Sequence, residues 1–297
     1  MLGTATWLRR WADDGASGPA DRDVRVDPPD SAQAPRGLAA RLADLMFGSR
    51  DRAVSTSTAT VPEGMRVYAV GDVHGRADLL ERLHDAIAAD AAATAAGLNC
   101  IVVYLGDYVD RGLYSREVLD VLIDKPIAGF ESIHIRGNHD EQFLRFLDDI
   151  EAGPSWMRYG GDTTVYSYGV RMPDDVAPGE RMAHIQTQLR DSVPPRHIEF
   201  LDGLALSRAV GDYMFVHAGV RPRRSLERQE AEDLMWIRDE FLESEDDFGK
   251  IVVHGHTVSQ DPEVRSNRIG IDTGAFISGV LTCLVLEGDC RRFLATS

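Results

Sequence analysis

The stretch MRVYAVGDVHG, residues 65–75, decides how the rest of the chain is read. Residues 65–70 form a short apolar strand that stops at Gly71-Asp72. A helix is expected over Ala77–Ala96, where Leu79, Leu80, Leu83 and Ile87 recur at helical spacing. The pattern then repeats. Cys100–Leu105 reads as a second strand closed by GDYVDRG (106–112), and Val118–Ile123 lies on a second helix. Ser132–Ile135 is a third strand closed by RGNHD (136–140), followed by a helix through Phe143, Leu144 and Leu147. Two consecutive strand–helix–strand units imply parallel strands with right-handed crossovers, and so an α/β fold.

Downstream, Pro154–Pro195 has little periodicity and reads as an irregular cap, within an insertion spanning about 152–212. Its GGDTTVYSYG segment (160–169) reads as a loop and hairpin, with a place along a substrate groove as the alternative. Strands return at Tyr213–Val216, Lys250–Val253, Arg268–Ile271, Val280–Leu286 and Arg291–Leu294. Their short connections suggest a second sheet packed on the first. Upstream, residues 1–63 read as a largely disordered tail before a domain at 64–297. Asp13–Pro35, rich in Asp, Pro, Ser, Ala and Gly, cannot bury enough surface to offset its ordering entropy. A short amphipathic helix is expected near 36–47, where Leu38, Leu42, Leu45 and Met46 share a face.

The 297 residues carry 48 acidic against 32 basic side chains, a net charge of −16. That balance argues against nucleic acid as a partner, because a binder must neutralise phosphates, and against anionic membrane surfaces. No apolar run approaches the ~18 residues of a membrane span. Cys100, Cys283 and Cys290 have no metal-site spacing and read as reduced thiols. Arg9-Arg10 is followed by Trp11-Ala12-Asp13-Asp14 where a signal peptide would be apolar, so a cytoplasmic location is expected. The acidity is concentrated: residues 1–63 hold nine acids against eight bases, whereas Ser225–Asp247 holds ten against two.

Each early strand ends in potential metal ligands: Asp72 and His74, then Asp107 and Asp110, then Asn138, His139 and Asp140. The late strands add His217 in VHAG and His254 and His256 in VHGHT. Loops at the carboxyl ends of neighbouring parallel strands converge on one crevice, so these residues can meet. The set is mixed oxygen and nitrogen without thiolate, which suits Mn²⁺, Fe²⁺ or Zn²⁺ and is too rich in nitrogen for Ca²⁺. There are more ligands than one ion needs, and one carboxylate bridging two ions about 3.5–4 Å apart is the simplest arrangement.

These residues resemble the calcineurin-like metallophosphoesterases, and among them the phosphoprotein phosphatase family of Ser/Thr phosphatases. The family patterns GDxHG and GDxVDRG occur without a mismatch, and GNHE departs only at Asp140. The late GHT and IDTGA patterns, here at 255–257 and 271–275, resemble bacterial and phage members. The resemblance covers roughly Arg66 to Leu286. It implies a four-layer αββα sandwich with two mixed sheets and two divalent ions, Mn²⁺ first with Fe or Zn as alternatives. By motif, Asp72 and His74 hold the first ion, Asp107 bridges, and Asn138, His217 and His256 complete the second. His254 would sit behind the ligands. His139 would protonate the leaving alkoxide, oriented by Asp110. Arg111 and Arg238 would hold phosphate oxygens, and Arg136 would support the substrate site from behind. Trp236 is expected in the core beneath Arg238.

The reaction so implied is phosphomonoester hydrolysis by a hydroxide held between the ions, with no phosphoenzyme. The expected substrate is a phosphorylated protein or peptide bearing phosphoserine or phosphothreonine. The acidic run near Arg238 is expected to be mainly a solvated helix face, or a rim favouring basic phosphopeptides. The alternatives are a diadenosine tetraphosphate hydrolase, whose family shares the GNHD variant, or a broad small-molecule phosphoesterase. A nuclease is disfavoured by the acidity, and a non-catalytic binding module by the completeness of the ligand set. Oligomeric state is open.

Overall fold

The computed structural model describes residues 58–171 and 176–296. The helix expected near 36–47 lies outside the described residues. Residues 58–63, read as the end of a tail, pack on the fold instead. Val61 is buried and its N–H donates to the Gly288 carbonyl, while the Thr60 carbonyl accepts from the Asp212 N–H.

The first half of the chain alternates as expected. Strand β1 (Met65–Val70) leads to α1 (Ala77–Thr94), β2 (Asn99–Tyr104), α2 (Ser115–Asp124), β3 (Glu131–His134) and α3 (Asn138–Asp148). β1–β2 and β2–β3 pair in parallel. β1 is buried on both faces, and its alternation sorts the core. Val67 and Ala69 face a second sheet, whereas Tyr68 and Val70 face the helices. Leu79, Leu80, Leu83 and Ile87 of α1 are all buried against that outer face.

The segment read as irregular is helical. It contains α4 (Gly153–Trp156), α5 (Asp162–Ser167), α6 (Arg181–Ser192) and α7 (Pro195–Asp202). The hairpin expected in 160–169 is therefore replaced by a kink at Gly160 and the turns of α5. Its apolar residues, Val165, Ile185, Leu189 and Leu201, join the core outside the first sheet. They are spaced too irregularly across short helices to give a clear period.

Strands β4 (Ser207–Val210), β5 (Tyr213–Val216), β6 (Ile251–His254), β7 (Glu263–Val264) and β8 (Arg268–Gly270) form the second sheet, ordered β4-β5-β6-β8-β7. The last strands depart from expectation. β9 (Thr282–Glu287) and β10 (Cys290–Ala295) return to the first sheet, ordered β10-β9-β1-β2-β3, with β9 antiparallel to β1. Both sheets are thus mixed. Val67, Ile101 and Val103 meet Phe215, Val253 and Ile269 between them. On the outer face of the second sheet, α8 (Ala231–Trp236) and α9 (Asp239–Leu242) supply Leu234 and Phe241 against Val216 and Val252. The result is the four-layer αββα sandwich, with a last short helix, α10 (Ala275–Ser278), before β9. Among the described residues, no helix is long and apolar enough to cross a membrane.

Candidate metal centre

The loops after β1, β2, β3, β5 and β6 meet at one end of the two sheets, and they do so in unusual backbone. Six described non-glycine residues have positive φ, and five are His74, Asp107, Asp110, Arg111 and His256. Such conformations cost about 1–3 kcal/mol each and persist only where surrounding structure imposes them. The packing is tight enough to dictate side-chain identity. A Cβ at residue 255 would fall within the Asp72 carboxylate, so only glycine fits there.

At the centre is Asp107, whose Oδ2 lies 3.4 Å from His74 Nε2 and 3.4 Å from His217 Nε2. Each imidazole is held from behind. His74 Nδ1 donates to the Val109 carbonyl (2.9 Å) and His217 Nδ1 to the Leu105 carbonyl (2.8 Å), which turns the Nε2 lone pairs inward. Two groups of buried ligand atoms result, His74–Asp107–His139 and Asp107–His217–His256, sharing Asp107. Asn138 Oδ1 lies 2.9 Å and His256 Nδ1 3.1 Å from His217 Nε2. Three lone-pair atoms therefore converge, and a proton or a cation must sit among them.

The donor set fits divalent ions by its chemistry. Asp72 Oδ1 and His74 Nε2 are buried without hydrogen-bond partners. Burial and the neighbouring Asp272 hold the Asp72 carboxyl well above its usual range. Burial opposes protonation of His217, yet the Asp107 and Asp72 carboxylates outweigh it and push that imidazole up to about 10. This is buried negative charge seeking a positive partner. Asp72 stands slightly apart from the two groups, its Oδ2 accepting the His256 N–H at 2.9 Å.

Beside the ligands, His139 Nδ1 donates to Asp110 Oδ2 at 2.7 Å. Asp110 is fully buried and also accepts from Trp156 Nε1 (2.9 Å) and Thr164 Oγ1 (2.7 Å). Burial lowers the His139 pKa, but Asp107 and Asp110 together raise it above the ordinary value. Arg111 donates to His139 Nε2 at 3.1 Å, and its guanidinium lies 4.8 Å from the Phe276 ring centroid. Asn138 and His139 open α3, whose N-terminal dipole favours an anion at this point. A cavity of about 620 Å³ adjoins them, lined by Arg111, Arg238, Arg145 and the exposed rings of Tyr159 and Trp236.

Three expected placements are corrected. Arg136 does not face the cavity. Its guanidinium donates to the Leu201 and Asp202 carbonyls and to Glu141, so it caps the C-terminal end of α7. Trp236 is not core, being 41% exposed at the cavity lip. His254 is not behind the ligands. Strand alternation turns it to the outer face of β6, against Phe241, where burial pushes it down to about 4.

The sequence patterns missed other residues. Asp140, noted only as a motif departure, accepts the N–H groups of Asp107, Tyr108 and Gly137, each at 2.9 Å. It thereby ties the second ligand loop to the third. Trp156 and Phe276 belong to no quoted pattern, and Thr164 lay in the 160–169 segment without a role of its own. Asp272 lay within a quoted pattern but was given no role. The acidic run 225–247 is partly neutralised, since Arg221 pairs with Asp233 and Glu240, and Arg224 with Glu230.

A family model described as calcineurin-like phosphoesterase matches residues 65–275. The chain is similar to an asymmetrical bis(5'-nucleosyl)-tetraphosphatase PrpE of Anoxybacillus flavithermus, 25% identical over 62% of this chain and 74% of that protein. The corresponding protein of Bacillus thuringiensis is 24% identical over 74% of this chain and 90% of its own. A serine/threonine-protein phosphatase of Arabidopsis thaliana, BSL2, is 37% identical over only 26% of this chain and 8% of its own. Among solved structures, one provisionally assigned as a diadenosine tetraphosphatase superposes with a TM-score of 0.54 at 20% identity. It covers 82% of this chain and 99% of its own. A cold-active protein tyrosine phosphatase gives 0.51 at 17%, over 78% and 76%. At such identities the structural likeness concerns the fold.

Proposed function

Because the chain belongs to the calcineurin-like phosphoesterase family, we propose that it hydrolyses phosphate esters or anhydrides at the site around Asp107, transferring the phosphoryl group directly to water. The observation that carries this reading is Asp107 Oδ2, placed 3.4 Å from one imidazole of each ligand group. In this reading Asp72, His74 and Asp107 hold one divalent ion, and Asp107, Asn138, His217 and His256 hold the other. Mn²⁺ is the first candidate, with Fe and Zn compatible with the same donors. When bound, such a pair polarises the phosphate and brings a water's pKa to about 7, so no side-chain base is required.

The chain's own residues supply the rest. Arg111 and Arg238 clamp the phosphate oxygens, because a planar guanidinium can donate two parallel hydrogen bonds. Moving Arg111 onto the phosphate withdraws its donor from His139 Nε2. That nitrogen can then carry the proton given to the leaving oxygen, while Asp110 holds Nδ1–H and stabilises the charged ring.

For the substrate, a nucleotide bearing a phosphate chain is favoured. Tyr159, 62% exposed, and Trp236 line the cavity beside Arg111 and Arg238, as stacking surfaces for a base would. Two relatives covering most of their own length also carry nucleosyl-tetraphosphatase names. A phosphorylated protein side chain is the second reading, supported by the intact Asp110-Arg111-Gly112 pattern. Metal-stripped protein reloaded with one ion at a time should be assayed on diadenosine tetraphosphate, a phosphoserine peptide and p-nitrophenyl phosphate. The first reading expects the highest kcat/KM on the dinucleotide, lowered selectively by Tyr159→Ala and Trp236→Ala. A preference for the peptide, with both variants unaffected, would favour the second. Full activity of Asp107→Asn would remove the site assignment itself.

A further inference from the structure

Asp72 and Asp272 stand at the ends of strands in different sheets, β1 and β8, and the backbones that carry them touch. A Cβ at Gly71 would lie 2.6 Å from the Ile271 carbonyl oxygen, which brings the two following carboxylates together. Each has one oxygen in use: Asp72 Oδ2 accepts the His256 N–H, and Asp272 Oδ1 accepts the Gly274 N–H, both at 2.9 Å. The other oxygen of each, Asp72 Oδ1 and Asp272 Oδ2, is buried without a hydrogen-bond partner. The residues are only 2% and 1% exposed. Neither residue is in the tight group of His74, Asp107 and His139.

Two buried carboxylates with free oxygens repel each other strongly where the dielectric is low, and a fold retains both in charged form only with positive charge nearby. Arg111, a fixed cation of the site, is engaged with His139 and the Phe276 ring. We propose that Asp272 is a positioning residue of the first metal position, its free Oδ2 lending a third carboxylate charge to the ion held by Asp72, His74 and Asp107. This rests on the two-ion reading above. It adds one residue to that site and explains why the IDTGA turn approaches β1 so closely. The turn's Phe276 also packs edge-on against His74, with ring centroids 5.5 Å apart, so one short segment braces two ligands of the same ion.

Mn²⁺ binding to the metal-stripped full chain, measured by isothermal titration and by counting bound ions, tests this. Wild type should bind two ions. Asp272→Asn should weaken one of the two by tenfold or more and leave the other unchanged. Without metal, the same variant should melt at or above the wild-type temperature, because one of two adjacent, mutually unfavourable buried carboxyls is gone. Wild-type affinity at both positions would overturn the proposal, and would mean that a shared proton reconciles the carboxylates. A lower melting temperature in the absence of metal would also overturn it, reducing Asp272 to a structural prop. Failure of the two-ion reading looks different: wild type would itself bind fewer than two ions.

Discussion

His139 Nδ1 lies 2.7 Å from Asp110 Oδ2, and the carboxylate at the far end of that bond has no exposure to solvent. The imidazole–carboxylate pair is assembled from three places in the chain. The loop after β2 brings Asp110, the first turn of α3 brings His139, and α4 and α5 bring Trp156 and Thr164, which leave Asp110 little freedom to turn.

Removing the imidazole should cost most where the leaving group most needs a proton. His139→Asn is expected to lower kcat on an alkyl phosphate by about 10²–10⁴. On p-nitrophenyl phosphate, whose phenolate leaves unaided, the loss should be smaller. Trp156→Phe removes one hydrogen bond to a charged group, worth about 1.5–3 kcal/mol, and should produce a milder version of the same pattern. Equal losses on both substrates would argue that His139 binds ground state and does not donate a proton.

Metal should also stabilise the fold. At 100 times its Kd, Mn²⁺ adds about 2.7 kcal/mol to the native state of a one-site protein. For a domain of this size that corresponds to a rise in Tm of roughly 5–10 °C. Asp107→Asn should abolish most of the rise, because Asp107 contributes to both ligand groups. Differential scanning calorimetry of stripped and reloaded protein checks this, and an undiminished shift in the variant would count against a bridging role.

Arg136→Ala should separate stability from substrate binding. Its guanidinium caps α7 and touches nothing in the cavity. Losing donors to partly buried carbonyls should destabilise by about 1–3 kcal/mol, read as a lower urea midpoint. The KM for p-nitrophenyl phosphate should be unchanged, and a severalfold rise in KM would return Arg136 to the substrate site.

Acid sensitivity should originate partly on the helix side of the first sheet. His134 stacks on Tyr104, and the Tyr104 hydroxyl donates to His84 Nε2 at 2.8 Å. Burial pushes both imidazoles down to about 4 from the ordinary 6.5. Above pH 6.5 they are neutral in folded and unfolded chains alike. Between pH 6.5 and 4 the unfolded chain takes up protons that the folded chain refuses, so stability falls as pH falls and levels off below 4. The loss is on the order of 3 kcal/mol per imidazole. His134→Phe, which keeps the stack on Tyr104, should flatten the urea midpoint between pH 7 and 5. An unchanged slope would place the acid sensitivity elsewhere.

Much of the candidate site was legible because its potential ligands obey local rules. Asp72, Asp107 and Asn138 each follow a strand of a repeating strand–helix unit, and parallel pairing brings those ends together. The errors share one cause, that a motif marks a place along the chain but not a direction. Arg136 stands beside Asn138 yet turns to the end of α7. His254 ends β6 on the outer face it shares with Val252, against Phe241, whereas His256 lies beyond the strand, where its positive φ breaks the alternation.

The αββα class was implied by the resemblance of the motifs, whereas the sequence by itself determined the alternating α/β first half and the mixed oxygen–nitrogen set of potential ligands. Those depend on periodicity and on residue chemistry, both of which are local. The tertiary structure alone decided that β9 and β10 rejoin the first sheet and that Trp156 and Thr164 hold Asp110. It also decided that Asp272 lies beside Asp72, through the close approach of Gly71 to Ile271. These are contacts between segments tens to hundreds of residues apart. They arise from the shared demand to bury apolar surface and satisfy buried polar atoms, which no short stretch of sequence records.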